Sequence, residues 1–272
     1  MKKILVYFLL IFLAPAYAQK GAYALYSYDS ATYMVSHNIA EVRSIASITK
    51  LFTALTVIKS GVDLEEKIKV AGKSSGHVPA GIYVSRMDLL RATIISSDNR
   101  AAETLANNHP GGFNQFIRDV NKYLDDHSLY DTKIVDSTGL LAGNVSTARD
   151  LVEFIHQIQN EKIIRSIANE KNTVLNLPKG KKTITINLRN TNPDIFHYDN
   201  VLISKTGFTN AAGRCVLMLV ENSKNLYTVV VLGQTNPKTR SQVVGNLLSI
   251  EFPKEPAIKI DSRVEFEYSY PL

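Results

Sequence analysis

Hydrophobic and polar residues along this 272-residue chain recur with two different periods, and the changes of period divide it into three stretches. Near the start, Ala22-Tyr23-Ala24-Leu25-Tyr26-Ser27 and the segment Thr32 to Ser36 are rich in aromatic and β-branched residues, with Tyr28-Asp29-Ser30 between them. That spacing predicts a β-hairpin. From Ser47 to Ser60 the pattern changes: Ile48, Leu51, Phe52, Ala54, Leu55, Val57 and Ile58 cover nearly the whole circumference of a helix, with Gly61 placed to end it. A helix apolar on every side belongs in the core.

Ser85-Arg86-Met87-Asp88 has the spacing of a capping box with Asp in the acidic place, and Leu89, Leu90, Thr93 and Ile94 follow at helical intervals. A second helix begins near Asn99 and runs through Ala101, Ala102, Leu105 and Ala106, which puts Ser96 to Asn99 in a tight joint between helices. Further helices are expected from about Gly112 to Asp125, and from Ser146-Thr147-Ala148 onward through Leu151, Phe154, Ile155 and Ile158. The middle of the chain thus reads as helix and loop throughout.

From Thr173 the two-residue alternation returns, with strands over Thr183 to Leu188, Val201 to Lys205, Arg214 to Val220 and Leu226 to Leu232. A last helix, about Pro237 to Ile250, offers Val243, Val244, Leu247 and Leu248 to a sheet face. The expected fold class is α/β of the α+β kind: one antiparallel sheet built from both chain ends, flanked by helices, with a mostly helical insert over about 45–170. Its N-terminal and C-terminal strands should lie together.

The first residues stand apart from this fold. Lys2-Lys3, the apolar run Ile4 to Leu13 and then Ala16-Tyr17-Ala18 have the form of a secretory signal peptide cleaved after Ala18, and the run is too short to span a bilayer. The alternative is a retained N-terminal anchor; otherwise a single catalytic domain over 19–272, exported to the periplasm, is expected. Cys215 is alone, so no intramolecular disulfide can form, and it reads as a small core residue in a strand. The net charge of +6 falls to +4 once Lys2 and Lys3 leave, and the basic residues are scattered, which argues against nucleic acid as a partner. His37, His77, His109, His127, His156 and His197 show no metal-ligand spacing, so neither a zinc peptidase nor any cofactor is expected.

Chemistry enters with Ser47-Ile48-Thr49-Lys50, Ser97-Asp98-Asn99 and Lys205-Thr206-Gly207. Serine and lysine three residues apart share a helix face, so Lys50 can reach the Ser47 hydroxyl. Burial in an apolar helix would lower the Lys50 pKa toward a value where the neutral amine acts as base. The first-turn N–H groups beside Ser47 favour negative charge on an alkoxide or oxyanion. A chain of this length contains roughly one Ser-x-x-Lys by accident, so the weight comes from the three motifs together, in this order and these settings.

The three motifs resemble those of the penicillin-binding proteins and their relatives. Ser204-Lys205-Thr206-Gly207-Phe208-Thr209-Asn210-Ala211-Ala212-Gly213-Arg214-Cys215, with Asp136-Ser137-Thr138-Gly139-Leu140 and Asn144-Val145-Ser146-Thr147-Ala148 upstream, is similar to the low-molecular-weight D-alanyl-D-alanine peptidases, and within them to the penicillin-binding protein 7 type of endopeptidase. The resemblance implies Ser47 as nucleophile, Lys50 as its base, Ser97 as proton relay, and Asn99 bonding both substrate and Lys50. Lys205 would lower local proton affinity and attract carboxylate, while Thr206 and Thr209 bind substrate. It further implies an oxyanion hole made by the backbone N–H groups of Ser47 and Phe208, and Arg240 orienting a substrate carboxylate; a solvated helix charge is the competing reading of Arg240. Gly207 would leave room for a substrate laid along an edge strand.

Asp98 stands where the carboxypeptidases of this group usually carry glycine, which favours the endopeptidase branch. No Glu-x-x-Leu-Asn element follows, so rapid penicillin turnover is not expected. The short stretch after the last helix carries neither the extra β-domain nor the amphipathic anchor of the membrane-tethered carboxypeptidases, so no stable membrane anchor is expected. The partners implied are peptidoglycan stem peptides, with β-lactams as covalent inhibitors. The alternatives are a D-alanyl-D-alanine carboxypeptidase and a non-catalytic β-lactam or wall-peptide sensor.

Overall fold

A computed structural model of the chain describes residues 21–251; the expected signal peptide and the segment after residue 251 lie outside the described residues. In chain order the elements are strands β1 (Ala22–Ser27), β2 (Thr32–His37) and β3 (Arg43–Ser44), helix α1 (Thr49–Lys59), strands β4 (Lys67–Lys69) and β5 (Tyr83–Ser85), and helices α2 (Arg86–Ile95), α3 (Asn99–Asn107) and α4 (Gly112–Asp126). Then come β6 (Val145–Ser146), α5 (Ala148–Ile158), α6 (Lys162–Ala168), β7 (Asn172–Lys179), β8 (Lys182–Arg189), β9 (Val201–Thr209), β10 (Gly213–Asn222), β11 (Asn225–Gln234) and α7 (Pro237–Glu251).

Five of these strands form one antiparallel sheet in the order β2-β1-β11-β10-β9. Ala22 lies opposite Leu232 and Ser27 opposite Tyr227, so the two chain ends meet in its middle, as the order of elements implied. Each face of the sheet has its own core. Val243, Val244, Leu247 and Leu248 of α7 pack with Val216, Met218, Val229 and Val231 on one face. On the other, Ile203, Leu217, Leu219, Val230 and Leu232 join the residues of the helical block, α1 and α5 among them.

Helix α1 is buried from Thr49 to Val57, as its all-round apolarity required, and Gly61 follows it at φ +72°, a left-handed conformation that suits glycine at a helix end. Ser85 caps α2 by accepting from the Asp88 N–H at 3.1 Å. Thr147 does the same for α5 through the Asp150 N–H at 3.0 Å.

The middle stretch departs from the expectation of helix and loop throughout. It contains the short pairs β4–β5 and β3–β6, whose two- and three-residue strands are too brief to show a period. Helix α6 went unread for the same reason, being only seven residues long. The strand expected over Thr183 to Leu188 exists, but it pairs with β7 in a separate two-stranded hairpin rather than joining the main sheet.

Candidate active site

Three elements converge at one end of β9. Ser47 lies in a 3₁₀ turn over Ala46–Ile48 that leads into α1, with Ala46 at φ +47°. The expectation put it in the first turn of the α-helix itself; the tighter turn is what brings its N–H against the sheet edge. Gly207 of β9 shows how close the approach is, since a Cβ there would stand 2.8 Å from the Ile45 carbonyl oxygen and 2.9 Å from the Ser47 nitrogen. Gly139, at φ +82°, flanks the same turn from the other side, where a Cβ would come 1.9 Å from the Ala46 carbonyl oxygen. What Gly207 clears is therefore space for this chain's own Ile45–Ser47 backbone, before any substrate is considered.

Lys50 follows one turn on and is fully buried. Its Nζ donates to the Thr138 carbonyl at 2.6 Å and to Asn99 Oδ1 at 2.7 Å, and stands 2.9 Å from Ser47 Oγ. Burial lowers its pKa to about 7, against the opposing pull of Asp136, Asp98 and Glu103. Two fixed acceptors thus hold two N–H bonds, and loss of the third proton leaves a lone pair directed at the serine hydroxyl. This is the geometry of a serine activated by an amine.

Lys205 is likewise fully buried on β9, and its Nζ donates to the Thr206 carbonyl at 3.0 Å. Burial, and then the charge of Lys50, push its pKa well below that of an ordinary lysine. No ion pair to a carboxylate compensates either amine among the described residues. Thr206 Oγ1 lies 2.7 Å from Thr191 Oγ1, and Thr209 Oγ1 accepts from the Ala212 N–H at 3.1 Å, closing the β9–β10 turn. Phe208 is half exposed, its ring stacked 3.6 Å from the Arg214 guanidinium. Because β9 is an edge strand, one side of its backbone has no neighbour in the sheet.

Ser97 and Asn99 occupy the α2–α3 joint, with Ser97 at φ +58°. Asp98, between them, is buried and turned away from Lys50's hydrogen-bonding set: Oδ1 caps α3 through the Ala101 N–H at 2.8 Å, and Oδ2 accepts from the Val78 N–H at 2.9 Å. Arg240 is also buried, 3.6 Å from Asp194 Oδ2, which rules out the solvated helix charge considered for it. Burial lowers its pKa, with Asp194 acting in the opposite sense.

Asp136 to Leu140 and Asn144 have a task that the structure makes visible. Asp136 Oδ1 accepts from the Thr138 N–H (2.6 Å), the Thr138 hydroxyl (2.8 Å) and the Gly139 N–H (2.7 Å), and Oδ2 from Leu141 N–H and Asn144 Nδ2 (both 2.8 Å). Burial raises the Asp136 pKa, but these bonds outweigh it and the net shift is downward. The carboxylate pins the loop so that the Thr138 carbonyl meets Lys50. An Asp followed two residues on by Thr-Gly is a readable Asx-turn signature, and it was the available clue.

Fold and site together have the arrangement of a serine acyl-transfer centre in which a lysine stands in the place of histidine. The chain belongs to the S11 peptidase family, D-alanyl-D-alanine carboxypeptidase, whose model matches residues 14–236. It is 36% identical over 200 residues to a D-alanyl-D-alanine endopeptidase of Escherichia coli strain K12, covering 70% of this chain and 64% of the relative. With the D-alanyl-D-alanine endopeptidase of Pseudomonas aeruginosa it shares 36% identity over 209 residues, 73% of this chain and 66% of the other. The matches thus span somewhat under two thirds of these relatives' length. Among solved structures, the Streptomyces K15 DD-transpeptidase superposes with a TM-score of 0.80 at 21% identity, over 86% of this chain and 97% of the other. Penicillin-binding protein D2 from Listeria monocytogenes, in a cefotaxime-bound form, gives 0.74 at 23% identity over the same shares.

Proposed function

We propose that this chain is a periplasmic DD-endopeptidase that hydrolyses D-alanyl–diaminopimelate cross-links of peptidoglycan through a serine acyl-enzyme and is blocked by β-lactams. The observation that carries the chemistry is the Lys50 amine, held by Thr138 and Asn99 with its remaining position 2.9 Å from Ser47 Oγ. In this reading neutral Lys50 takes the Ser47 proton as Oγ attacks the D-alanyl carbonyl. The N–H groups of Ser47 and Phe208 receive the oxyanion, and Ser97 relays the proton now on Lys50 to the departing amine as the C–N bond breaks. Water then attacks the ester, returns the proton to the serine oxygen and frees the D-alanyl carboxylate. Thr206, Thr209 and Arg240 bind the substrate, with Lys205 beside its carboxylate.

Preference for the cross-link over a terminal D-alanine is supported by the two endopeptidase relatives at 36% identity. The carboxypeptidase reading is favoured by the description of the family itself. The location is supported by the leader-like first 18 residues and by the finding that, among the described residues, no helix is long and apolar enough to cross a membrane. Purified protein incubated with cross-linked muropeptide dimer and with pentapeptide monomer decides between them. Dimers should fall to monomers and the Ser47→Ala protein should leave both intact; release of D-alanine from pentapeptide without dimer cleavage would overturn the endopeptidase reading.

A further inference from the structure

A cleft of about 610 Å³ opens beside the Ser47–Lys50 centre and shares Asp136 and Thr138 with it. The residue whose carbonyl accepts from Lys50 also lines this cleft, so the two spaces are neighbours across a single loop. The far wall is α3, where Glu103 stands one turn beyond Asn99 on the same helix face, and the loop carrying Gly72 and Lys73. Phe113 at the start of α4 and Leu140 and Leu141 complete it, with exposures of 37%, 50% and 56%. Three large apolar side chains left open around one concavity mark a ligand surface more than a surface accident.

The charges of this cleft are not spent on one another. Glu103 accepts from the Ser74 N–H at 3.2 Å and from the Ser74 hydroxyl, which secures the loop against α3. Gly72, at φ +149°, makes that approach possible, because a Cβ there would stand 2.5 Å from Glu103 Oε2. Lys73, beside Ser74 in this loop, is exposed at the rim and forms no ion pair among the described residues. One cleft therefore presents a cation, an anion and an apolar wall.

We propose that this cleft is a subsite for a substrate side arm ending in a zwitterionic α-amino-acid head, with Lys73 taking the carboxylate, Glu103 the ammonium, and Phe113, Leu140 and Leu141 lying along its methylenes. The proposal rests on the cross-link reading above. In such a cross-link the stem that donates the acyl group carries a diaminopimelyl side chain next to the reacting D-alanine, and its far end is a head of this kind. A lysine side chain offers only the ammonium, and an amidated head loses the carboxylate.

Calorimetric titration of the Ser47→Ala protein, which cannot be acylated, tests the subsite without requiring turnover. The probes are three pentapeptide stems that differ only at the third residue: free diaminopimelate, the same residue amidated at the head, and lysine. The free head should bind about tenfold more tightly than the other two, the size of one exposed-to-half-buried charge-assisted contact. Adding Lys73→Met should abolish that preference while leaving the affinity for the lysine stem unchanged, and Glu103→Gln should weaken the free-head and lysine stems alike. Equal affinities for the three, no binding of any, or a preference that survives Lys73→Met would overturn the proposal. Dimer hydrolysis by the unsubstituted protein is scored separately: preference without hydrolysis removes the endopeptidase reading and keeps the subsite, and hydrolysis without preference does the reverse.

Discussion

At the scale of single residues, the protonation of Lys50 links rate to stability. An amine whose pKa lies at about 7 is half neutral near pH 7, so acylation of Ser47 by a β-lactam should rise with pH through that value and level off above it. A stopped-flow pH profile flat between pH 5 and 9 would contradict this. Lys50→Arg, which stays charged at every accessible pH, should abolish acylation rather than shift its profile. The same shift has a stability consequence. Unfolded lysine holds its proton to about pH 10.4, so between about 7 and 10.4 the unfolded chain binds more protons and native stability increases with pH. Relative to Lys50→Met, the unsubstituted protein should lose stability, on the order of a few kcal/mol, as pH is lowered from 10 to 7. Chemical denaturation of both proteins at the two pH values measures it.

Gly207 yields a second residue-scale prediction, because the contact it permits is with backbone that cannot swing aside. Gly207→Ala would set its methyl carbon 2.8–2.9 Å from Ile45 O and Ser47 N, so the nucleophile turn must shift. A misplacement of about 1 Å at reacting atoms costs on the order of a hundredfold in rate, and acylation should fall by about tenfold to a hundredfold. The far-ultraviolet circular dichroism should stay that of the parent. Retained acylation would mean that the turn is free to move.

Among the elements, Lys50 and Asn99 sit on helices and Lys205 on β9, and carboxylates that do not touch Lys50's amine position the helical side of the site. Asp98 ties the N-terminus of α3 to Val78, and a Cβ at Gly76 would collide with its Oδ1 at 2.1 Å. It is the clasp between the Ser97–Asn99 joint and the loop over it. Asp98→Ala removes a cap and leaves the Val78 N–H unpaired in the interior, so it should cost about 2–4 kcal/mol and lower acylation through the displaced joint. Asp98→Asn, whose single side-chain oxygen keeps one of the two accepted bonds, should fall between. Equal melting temperatures for all three proteins would show that the clasp bears no load. From the sequence, the position of this joint was legible because capping residues and apolar spacing on both sides bracket it. The task of Asp98 was not legible, since Val78 and Gly76 lie twenty or more residues earlier in a loop with no period of its own.

For the molecule as a whole, the sheet was legible because its strands are alternating or continuously apolar runs bounded by turn residues and its two ends are separated by a long helical stretch, which leaves mutual pairing as the way to bury both. The hairpin β7–β8 shows the limit of that reasoning: its alternation is as good, and only the register in space reveals that it stays outside the main sheet. Both buried lysines lie where this sheet meets the helical block. Lys50 comes from α1 and Lys205 from β9, and neither has a carboxylate partner among the described residues. Alternation along β9 sends Lys205 to the same face as Ile203 and Gly207, into the helical side of the core, where burial and the charge of Lys50 both disfavour a proton on it. A fold optimised for stability alone would place an apolar side chain there, so the conflict marks the position as one kept for chemistry. Lys205→Met preserves the volume, removes the repulsion and forfeits one hydrogen bond to the Thr206 carbonyl. It should raise the melting temperature by several degrees and lower the plateau of the acylation profile while leaving its midpoint, which burial of Lys50 sets, in place. A lower melting temperature with an unchanged plateau would show instead that Lys205 supports the sheet and takes no part in acylation.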